Sequence, residues 1–532
     1  MEAKNILNIG LLTLTMFALG SCENDLLNQA PNDRLASELF WKSENDAILA
    51  VNAAYPAVLD DGMTLFQRDA LTDIGHVNSF FNQDALVQKN SFDASNSTIA
   101  TQWANIWIGV TKTNFVLDNV DQIPVTSKTI INRVKGEAKV LRAFQYIKLA
   151  AMFGDVPLVT KVISIQEGRG LTRTPVNQVW DFIDTELTDA AALLPVSYTG
   201  ADRGRVTKGA ALALKARADL YAGRYQQAAA AAKSVMDLGV YAIYPKYSEL
   251  FSYAAERNTE VILDREYIKD LLSNAIFNTM APYGQTASSN PNTYVPTRAL
   301  ARMYTMNNGK DITDPGSGFE AINPYKNRDS RLYASFFLPG DLMPNGKPFN
   351  SLPNSGTTDA AGGTYFASAT GFTSRKYINS QDAATPANNG INIIQTRYAE
   401  VLLTYAEAKT ELNQIDQSVI DAVNAIRKRS DVNLPALALG IGQSELREII
   451  RRERTIELAF EGFRLFDIRR WKIAEKVIPG NVEGIDYVEN GTLKTLVVPS
   501  FIKEFKAGRD YLWPIPTNER VLNPNLTQNT GW

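Results

Sequence analysis

Cysteine and histidine are almost missing from this sequence, which has one of each among 532 residues, Cys22 and His76. Disulfide bonds and zinc sites built from cysteine and histidine need several such residues and are therefore excluded. A serine–histidine–aspartate triad would depend on His76, and no Gly-x-Ser-x-Gly motif accompanies it. Glycoside hydrolysis by two carboxylates stays open, because the sequence has 57 acidic residues and the separation of such a pair is visible only in space.

Strong net charge and long apolar runs are also lacking. The formal net charge is -3, so neither nucleic acid nor an anionic lipid surface is indicated as a partner. Beyond residue 21, no stretch approaches the 18 or so apolar residues of a membrane-spanning helix. With 45% hydrophobic and 10% aromatic residues, the chain can nevertheless bury a large core, which predicts a soluble globular body.

Cofactor motifs are absent as well. The sequence has neither a phosphate-binding Gly-x-x-x-x-Gly-Lys-Ser/Thr loop nor a glycine fingerprint between a strand and a helix. The segment from Asp311 to Gly318 is rich in aspartate and glycine, but it lacks the ligand spacing of a twelve-residue calcium loop. We therefore predict no cofactor and no required metal.

The one cysteine closes an apolar N-terminal stretch in the tetrapeptide Leu19-Gly20-Ser21-Cys22. This stretch follows Lys4, is too short for a membrane span and ends in small residues, as a signal peptide does. The pattern is typical of a bacterial lipoprotein, in which residues 1–21 are removed and Cys22 carries acyl chains. The alternative is a buried thiol behind an ordinary leader. A lipid-bearing Cys22 also excludes a Cys–His nucleophilic pair, and it predicts an anchor for the globular body.

Helical periodicity dominates the patterned parts of the chain, with apolar residues three and four positions apart. Two of these parts predict helix pairs of the tetratricopeptide kind, because small and aromatic positions alternate in them. The first pair turns at residues 221–225 and has small residues at Ala210, Ala218 and Ala228. The predicted helical stretches are Asp46 to Leu59, Trp103 to Val120, Ile130 to Phe153, the pair within Thr207 to Leu238, and the pair Arg397 to Leu412 with Gln417 to Arg429.

Two stretches lack sustained periodicity. Residues 240–395 are rich in Gly, Pro, Asn, Ser and Tyr, and Gly62 to Thr101 interrupts the early helices as a second irregular stretch. Long loops held by a helical frame are common sites of ligand binding. The alternative is that their aromatic residues only pack the loops onto the frame.

Several motifs resemble the SusD/RagB family of outer-membrane nutrient-binding lipoproteins. The C-terminal part carries the longest one, RRERTIELAFEGFRLFDIRRW at residues 451–471, and residues 512–516 and 523–532 read LWPIP and NPNLTQNTGW. Further matches occur in the expected order along the mature chain: RAFQY at 142–146, FGDVPL at 153–158, RDSRL at 328–332, RYAEVLL at 397–403 and AEA at 406–408.

The resemblance implies a mostly α fold, in which four tetratricopeptide-like helical pairs form a scaffold under a loop-rich ligand-binding part. It divides the mature chain into an N-terminal part at 22–240, a variable part at 241–395 and a C-terminal part at 396–532, within one compact unit. It implies no enzyme activity, and its partner is a SusC-like TonB-dependent barrel of the outer membrane. Glu23 and Asp25, just after the lipidation site, resemble a surface-export signal, so we expect the protein to face the cell exterior.

A glycan ligand would need aromatic rings for stacking and amides for its hydroxyl groups. Starch-binding members of the family take their ligand aromatics from loops in two general regions that this chain also has. The candidates here are His76, Asn78, Phe80, Phe81, Tyr283, Asn290, Asn292 and Tyr294. Trp103 and Trp107, four residues apart on a predicted helix, are instead expected to be core.

Three other functions stay open. Relatives of the RagB type handle peptides, and loops rich in asparagine and phenylalanine suit a peptide as well as a glycan. A carboxylate-dependent glycosidase and an assembly scaffold without a ligand are further alternatives. Glu453 and Glu457 are the acids nearest to a marked pair, but the arginines around them predict ionised, structurally paired carboxylates rather than a general acid.

Overall fold

Helices dominate the part of the chain that this computed structural model describes, which comprises residues 40–78, 82–286 and 291–532. Helices and strands account for 45% and 11% of the residues, which confirms the predicted mostly α fold. The helices in chain order are α1 (Glu44–Asn52), α2 (Tyr55–Val58), α3 (Gly62–Ala70), α4 (Gln83–Gln88), α5 (Ser97–Asn119), α6 (Thr129–Phe153), α7 (Ile165–Gly168), α8 (Val176–Leu193), α9 (Lys208–Tyr221), α10 (Tyr225–Asp237), α11 (Ile276–Met280), α12 (Tyr283–Thr286), α13 (Arg298–Met303), α14 (Arg331–Ser335), α15 (Tyr398–Glu411), α16 (Gln417–Arg427), α17 (Gln443–Glu457), α18 (Arg464–Arg470), α19 (Ala474–Val477) and α20 (Thr517–Leu522).

The strands form two-stranded antiparallel pairs, β1 with β3, β2 with β6, β4 with β5 and β7 with β8. Three pairs join segments that are far apart in sequence, and β7 with β8 is a hairpin. The strands are β1 (Gly75–Val77), β2 (Val261–Arg265), β3 (Tyr294–Pro296), β4 (Phe336–Phe337), β5 (Thr373–Ser374), β6 (Ile393–Arg397), β7 (Gly480–Glu489) and β8 (Thr492–Lys503).

The long helices form a row in which each packs against the next. In order, α5, α6, α8, α9, α10 and α15 are neighbours, and α15 also packs against α16 and α17. Helix α6 lies between α5 and α8, which explains why nearly its whole circumference is buried. This stacking of neighbouring helices is the arrangement of tetratricopeptide-type scaffolds, and no helix in the described ranges is both long and apolar enough to cross a bilayer.

The first predicted helix pair is confirmed as α9 and α10. The Thr207 side chain caps α9 by accepting a hydrogen bond from Ala210 N at 3.1 Å. Between the two helices the backbone turns through Gly223 at φ +74°, a conformation that favours glycine. Ala210, Ala218 and Ala228 are buried, so small side chains let the helices approach closely as predicted.

The early part of the chain is more regular than the sequence pattern indicates. The expectation of an irregular stretch from Gly62 to Thr101 was wrong, because this stretch contains α3, β1, α4 and the start of α5. Three polar residues in this stretch or directly before it, Asp61, Asn82 and Asn96, are helix caps whose side chains accept from backbone N–H groups at 2.8–3.3 Å. Capping residues break hydrophobic periodicity in the same way that loop residues do.

The variable part, residues 241–395, is built from short helices and strand pairs over the helical row, as its composition predicts. The pairing of β2 with β6 connects it to the start of α15. A single cluster of buried apolar side chains extends from Trp41 to Leu526 and includes members from all three predicted parts. The boundaries at 240 and 395 themselves stay a prediction.

The last residues of the chain close onto the N-terminal helices. Trp513 N donates to Met152 O at 2.7 Å, and Asn529 Nδ2 donates to Phe153 O at 2.9 Å. Arg173 donates to Thr527 O at 3.0 Å. The end of α6 is therefore held by residues about 360 positions further along the chain.

Candidate ligand-binding surface

Two of the loops predicted to bind the ligand are brought together by β1 and β3. Their register pairs His76 with Val295 and Val77 with Tyr294, and Asn78 N donates to Thr293 O at 3.1 Å. These residues are more than 200 positions apart in sequence. The fold therefore places these two regions side by side.

A third segment, residues 365–373, joins these loops through two buried amides. Asn78 Nδ2 donates to Ala367 O at 3.0 Å, and Asn78 Oδ1 accepts from Ala369 N at 2.7 Å. Asn292 Nδ2 donates to Phe366 O at 3.1 Å, and its Oδ1 accepts from Thr373 Oγ1 at 2.8 Å. Each amide uses both its donor and its acceptor, so together they fix the backbone of the third segment against the first two.

Three aromatic side chains come together on this framework, and we call them the aromatic surface: Tyr283, Tyr365 and Phe366. The rings of Tyr283 and Phe366 are 5.2 Å apart with an interplanar angle of 33°. Tyr365 meets Phe366 edge-on at 5.4 Å and is 53% exposed. Sequence reasoning found Tyr283 and missed the other two, whose only signal is an aromatic pair in a segment rich in glycine, serine and alanine.

Helix α12, which carries Tyr283, is held by a buried carboxylate. Asp359 Oδ1 accepts from Gly284 N at 3.0 Å, and burial raises the pKa of Asp359. A Cβ at position 284 would lie 2.3 Å from Asp359 Oδ2, so this approach requires glycine. On the other side, Asn345 Nδ2 donates to Gly284 O at 3.1 Å. The position of the Tyr283 ring is thus set by loops from elsewhere in the variable part.

The predicted ligand residues take different positions in this framework. Tyr283 is half-buried at the surface, whereas His76, Asn78, Asn292 and Tyr294 are buried, at 1%, 8%, 1% and 5% exposure. The Tyr294 hydroxyl donates to Asp84 Oδ2 at 2.8 Å, so its polar end is engaged within the protein. Outside the described residues lie Cys22, Phe80, Phe81 and Asn290.

His76 is enclosed between a glutamine and an aromatic ring. Its Nδ1 lies 3.2 Å from Gln88 Oε1, and its ring stands edge-on to Phe501 at 4.5 Å. Burial, with the nearby Lys503 ammonium as a smaller cause, lowers the pKa of His76 from 6.5 to about 3. The imidazole of the folded protein is therefore neutral at physiological pH.

This environment predicts the titration of the single histidine. The unfolded chain takes up a proton at His76 below its ordinary pKa of 6.5 and the folded chain does not, so this group lowers the free energy of unfolding as the pH falls from 6.5. In NMR spectra of protein with labelled histidine, the ring signals of folded protein are expected not to shift between about pH 7 and 5. The same protein in urea is the control and titrates near 6.5. A folded-state midpoint near 6.5 would contradict the buried position.

The tryptophans near the start of α5 belong to the packing of the helical row. Trp103 is 3% exposed and meets Phe153 edge-on at 4.9 Å. Trp107 is partly buried against Trp103 at 5.7 Å. The prediction that they are core side chains rather than a sugar platform is confirmed for Trp103 and holds in part for Trp107.

Glu453 and Glu457 lie in a buried ionic cluster rather than in an open cleft. Both accept from Arg331 Nη1, Glu453 at 2.5 Å and Glu457 at 2.9 Å. Glu457 Oε1 also lies 2.7 Å from Arg397 and from Arg429. We call the connected set of buried charges the arginine–glutamate cluster: Glu260, Asp329, Glu453, Glu457, Glu461, Arg331, Arg397, Arg427, Arg429 and Lys376.

The cluster confirms that Glu453 and Glu457 form structural ion pairs, but their partners are not the arginines that the sequence suggested. The sequence neighbours expected to pair with these acids go elsewhere, Arg454 to Asp467 and Arg464 to Asp73, at 2.8 and 2.7 Å. Burial alone would raise the pKa of Glu457, but Arg429, Arg397 and Arg331 outweigh it and hold that pKa well below the usual range. A carboxylate so firmly ionised does not serve as a general acid.

The described residues include no group of three or more His, Cys, Asp or Glu side chains placed to hold a metal ion. In the Asp311 segment, the carboxylate of Asp311 accepts from Thr313 N at 3.0 Å and pairs with Arg452 at 2.8 Å. Those carboxylate oxygens are therefore already engaged within the protein.

Comparison with known proteins gives a consistent assignment over the chain. Residues 259–532 match the model of the SusD family, and residues 32–220 match a model described as starch-binding associating with outer membrane. SusD-like protein P2 of Formosa agariphila is 27% identical over 528 residues, which cover 94% of this chain and 95% of that protein.

Comparison with solved structures supports the same assignment. A SusD-like carbohydrate binding protein from Bacteroides fragilis is 30% identical with a TM-score of 0.83, covering 92% of this chain and all of the other. A second SusD-like protein from the same species is 28% identical with a TM-score of 0.82, covering 95% of this chain and all of the other. A laminarin binding SusD-like protein, at 21% identity and a TM-score of 0.71 over 92% of this chain and all of the other, shares the fold.

Proposed function

The chain belongs to the SusD family, and from that premise we propose that it is a cell-surface lipoprotein that captures an oligo- or polysaccharide and delivers it to a SusC-like TonB-dependent barrel of the outer membrane. Cys22 would carry the lipid anchor and the helical row would dock on the barrel. The variable part would face the ligand. The match of residues 32–220 to a family associated with the outer membrane supports this location.

The aromatic surface is the observation that carries the glycan proposal. A sugar ring has an apolar face that stacks on aromatic rings and hydroxyl groups that need donors and acceptors around them. Tyr365 offers an exposed ring, and Tyr283 and Phe366 are packed beside it. Because buried amides and Asp359 hold the supporting backbone, the rings are positioned before the ligand arrives, which reduces the entropic cost of binding.

The environment of the acids in the C-terminal motif argues against catalysis by them. The most prominent acids of the C-terminal motif, Glu453 and Glu457, are paired in the arginine–glutamate cluster and lie among its guanidinium groups. Two of the similar proteins with solved structures are described as binding proteins. We therefore propose that the protein has no enzymatic activity of its own.

Removing the aromatic surface is expected to abolish most glycan binding. The double variant Tyr365→Ala and Phe366→Ala loses the exposed ring and its supporting neighbour, and we expect at least about a tenfold loss of affinity. Isothermal titration calorimetry against a panel of polysaccharides that includes laminarin, followed by the same titration of a peptide digest, measures this effect and identifies the ligand class.

Two further variants serve as controls. Tyr365→Phe keeps the ring and is expected to stay within about threefold of the original affinity. Ile165→Ala removes an apolar side chain that is 80% exposed but belongs to α7, outside the aromatic surface, and should change nothing. Binding of peptides alone would replace the glycan proposal with peptide capture. An affinity unchanged in the double variant would move the site away from the aromatic surface.

A further inference from the structure

A cleft lies between α13 and the helices α17 and α18. It has a volume of about 500 Å³, within the range of small-molecule sites. It shares no residue with the aromatic surface. Its walls combine apolar side chains with four arginines, Arg427, Arg451, Arg452 and Arg464. Thr305 and Trp471 also line the cleft.

The Thr305 hydroxyl is the first sign that this cleft takes a ligand. Thr305 is 6% exposed, and its Oγ1 has no hydrogen-bond partner among the residues that the structure describes. A buried hydroxyl without a partner costs free energy, so natural proteins rarely leave one unmatched. A ligand hydroxyl in the cleft would supply the missing partner.

Arg451 is the second sign, because it is the least engaged guanidinium of the cleft. Its carboxylate neighbours Glu448 and Glu411 lie at 3.5 and 3.6 Å, longer than a charge-assisted hydrogen bond. Its Nε has no partner within the described ranges, and the guanidinium lies 5.1 Å from the ring centre of Trp471. The planar fork of arginine matches a carboxylate with two parallel hydrogen bonds.

The other arginines of the cleft are already paired. Arg427 lies 3.1 Å from Glu453, Arg452 lies 2.8 Å from Asp311, and Arg464 donates to Thr455 Oγ1 at 2.9 Å. The acids Glu445 and Glu448 also border the cleft, but Glu448 is 72% exposed and therefore well screened by solvent. Arg451 is thus the most loosely paired of the four guanidinium groups and the one with the most capacity left for an anionic group.

We propose that this cleft binds a small sugar acid, with the carboxylate on the Arg451 guanidinium and a ring hydroxyl on Thr305 Oγ1. The apolar wall, which includes Met303 and Ile456, would cover one face of the sugar ring. This site is additional to the proposed capture of a glycan at the aromatic surface and uses none of its residues.

Glucuronic acid and glucose test this proposal, because they differ only in whether C6 is a carboxylate or a hydroxymethyl group. In calorimetry with the full-length mature protein, glucuronate is expected to bind at least about tenfold more tightly than glucose. Arg451→Gln should remove about tenfold of the glucuronate affinity and leave that for glucose unchanged, and Arg451→Lys should lose less. Thr305→Val, which removes only the hydroxyl function, should weaken both sugars by about threefold to tenfold.

Controls separate this site from the rest of the molecule. Arg257→Gln removes an exposed arginine that pairs with Glu266 at 3.0 Å and does not line the cleft, so it should change nothing. Tyr365→Ala should also leave glucuronate binding intact, whatever it does to binding of a larger glycan. The proposal fails if glucose and glucuronate bind alike, if neither binds, or if Tyr365→Ala removes the binding while Arg451→Gln does not.

Discussion

Replacing Glu457 with glutamine is expected to lower the free energy of unfolding by about 3–5 kcal/mol. The carboxylate is fully buried and lies within 2.9 Å of Arg331, Arg397 and Arg429. An amide of the same shape keeps the packing but removes the charge, so three guanidinium groups lose the anion that they share. Equilibrium urea unfolding, followed by tryptophan fluorescence, measures the loss.

The matched control lies on the same helix. Glu448→Gln changes the same functional group in α17, but this carboxylate is 72% exposed and 3.5 Å from Arg451. Surface pairs of this kind contribute about 0–1 kcal/mol, so the control should unfold close to the original midpoint. Equal effects of the two substitutions would show that the arginine–glutamate cluster does not depend on the charge of Glu457.

The cluster also predicts a pH dependence. Because the pKa of Glu457 is lowered on folding, its contribution is present above the unfolded value of 4.5 and is lost as the pH falls below it. Between about pH 5 and 3, stability should therefore fall less steeply in Glu457→Gln than in the original protein.

Replacing Cys22 with alanine is expected to release the protein from the membrane. Each acyl methylene buried in a bilayer contributes about 0.8 kcal/mol to the free energy of membrane binding. Several acyl chains therefore attach a protein stably, whereas a protein without acyl chains is hardly attached. Cells that express Cys22→Ala should show no incorporation of labelled palmitate and should yield the protein in the soluble fraction. Nutrient uptake should fall, while the glycan affinity of the purified protein should not change, because the aromatic surface is built from residues 283–366.

The control for this substitution is Ser21→Ala, which keeps a small residue before the cysteine and should preserve lipidation. If Cys22→Ala stays on the membrane and the original protein takes up no palmitate, Cys22 is not the anchor and the N-terminal motif has been misinterpreted.

Much of the helical row was predictable because its signal is local. Apolar spacing and small residues within a single segment indicated α9 and α10, and Gly223 marked the turn between them. Where polar capping residues interrupt that spacing, as at Asn82 and Asn96, the same reasoning mistook α4 and the start of α5 for loops.

The candidate site was predictable only in part, because its members come from distant segments. The two loops at 76–78 and 292–294 were found from their aromatic and amide content. The segment that carries the rings at 365 and 366 joins them through hydrogen bonds from the side chains of Asn78 and Asn292. No local pattern encodes such contacts. The ion pairs of Glu457 were also predictable only in part. The sequence indicated that this acid is paired, but its partners Arg331 and Arg397 lie 126 and 60 positions away.

The closure of residues 513–532 onto α6 has a consequence for the order of folding. A chain made from its N-terminus presents α5 and α6 long before Trp513 and Asn529 exist to cover Met152 and Phe153. Until then the apolar end of α6 is exposed, and a partly made chain with exposed apolar surface is prone to aggregate. The end of α6 is therefore covered only after residues 513–529 have been made, so folding of the helical row cannot finish before this segment is available.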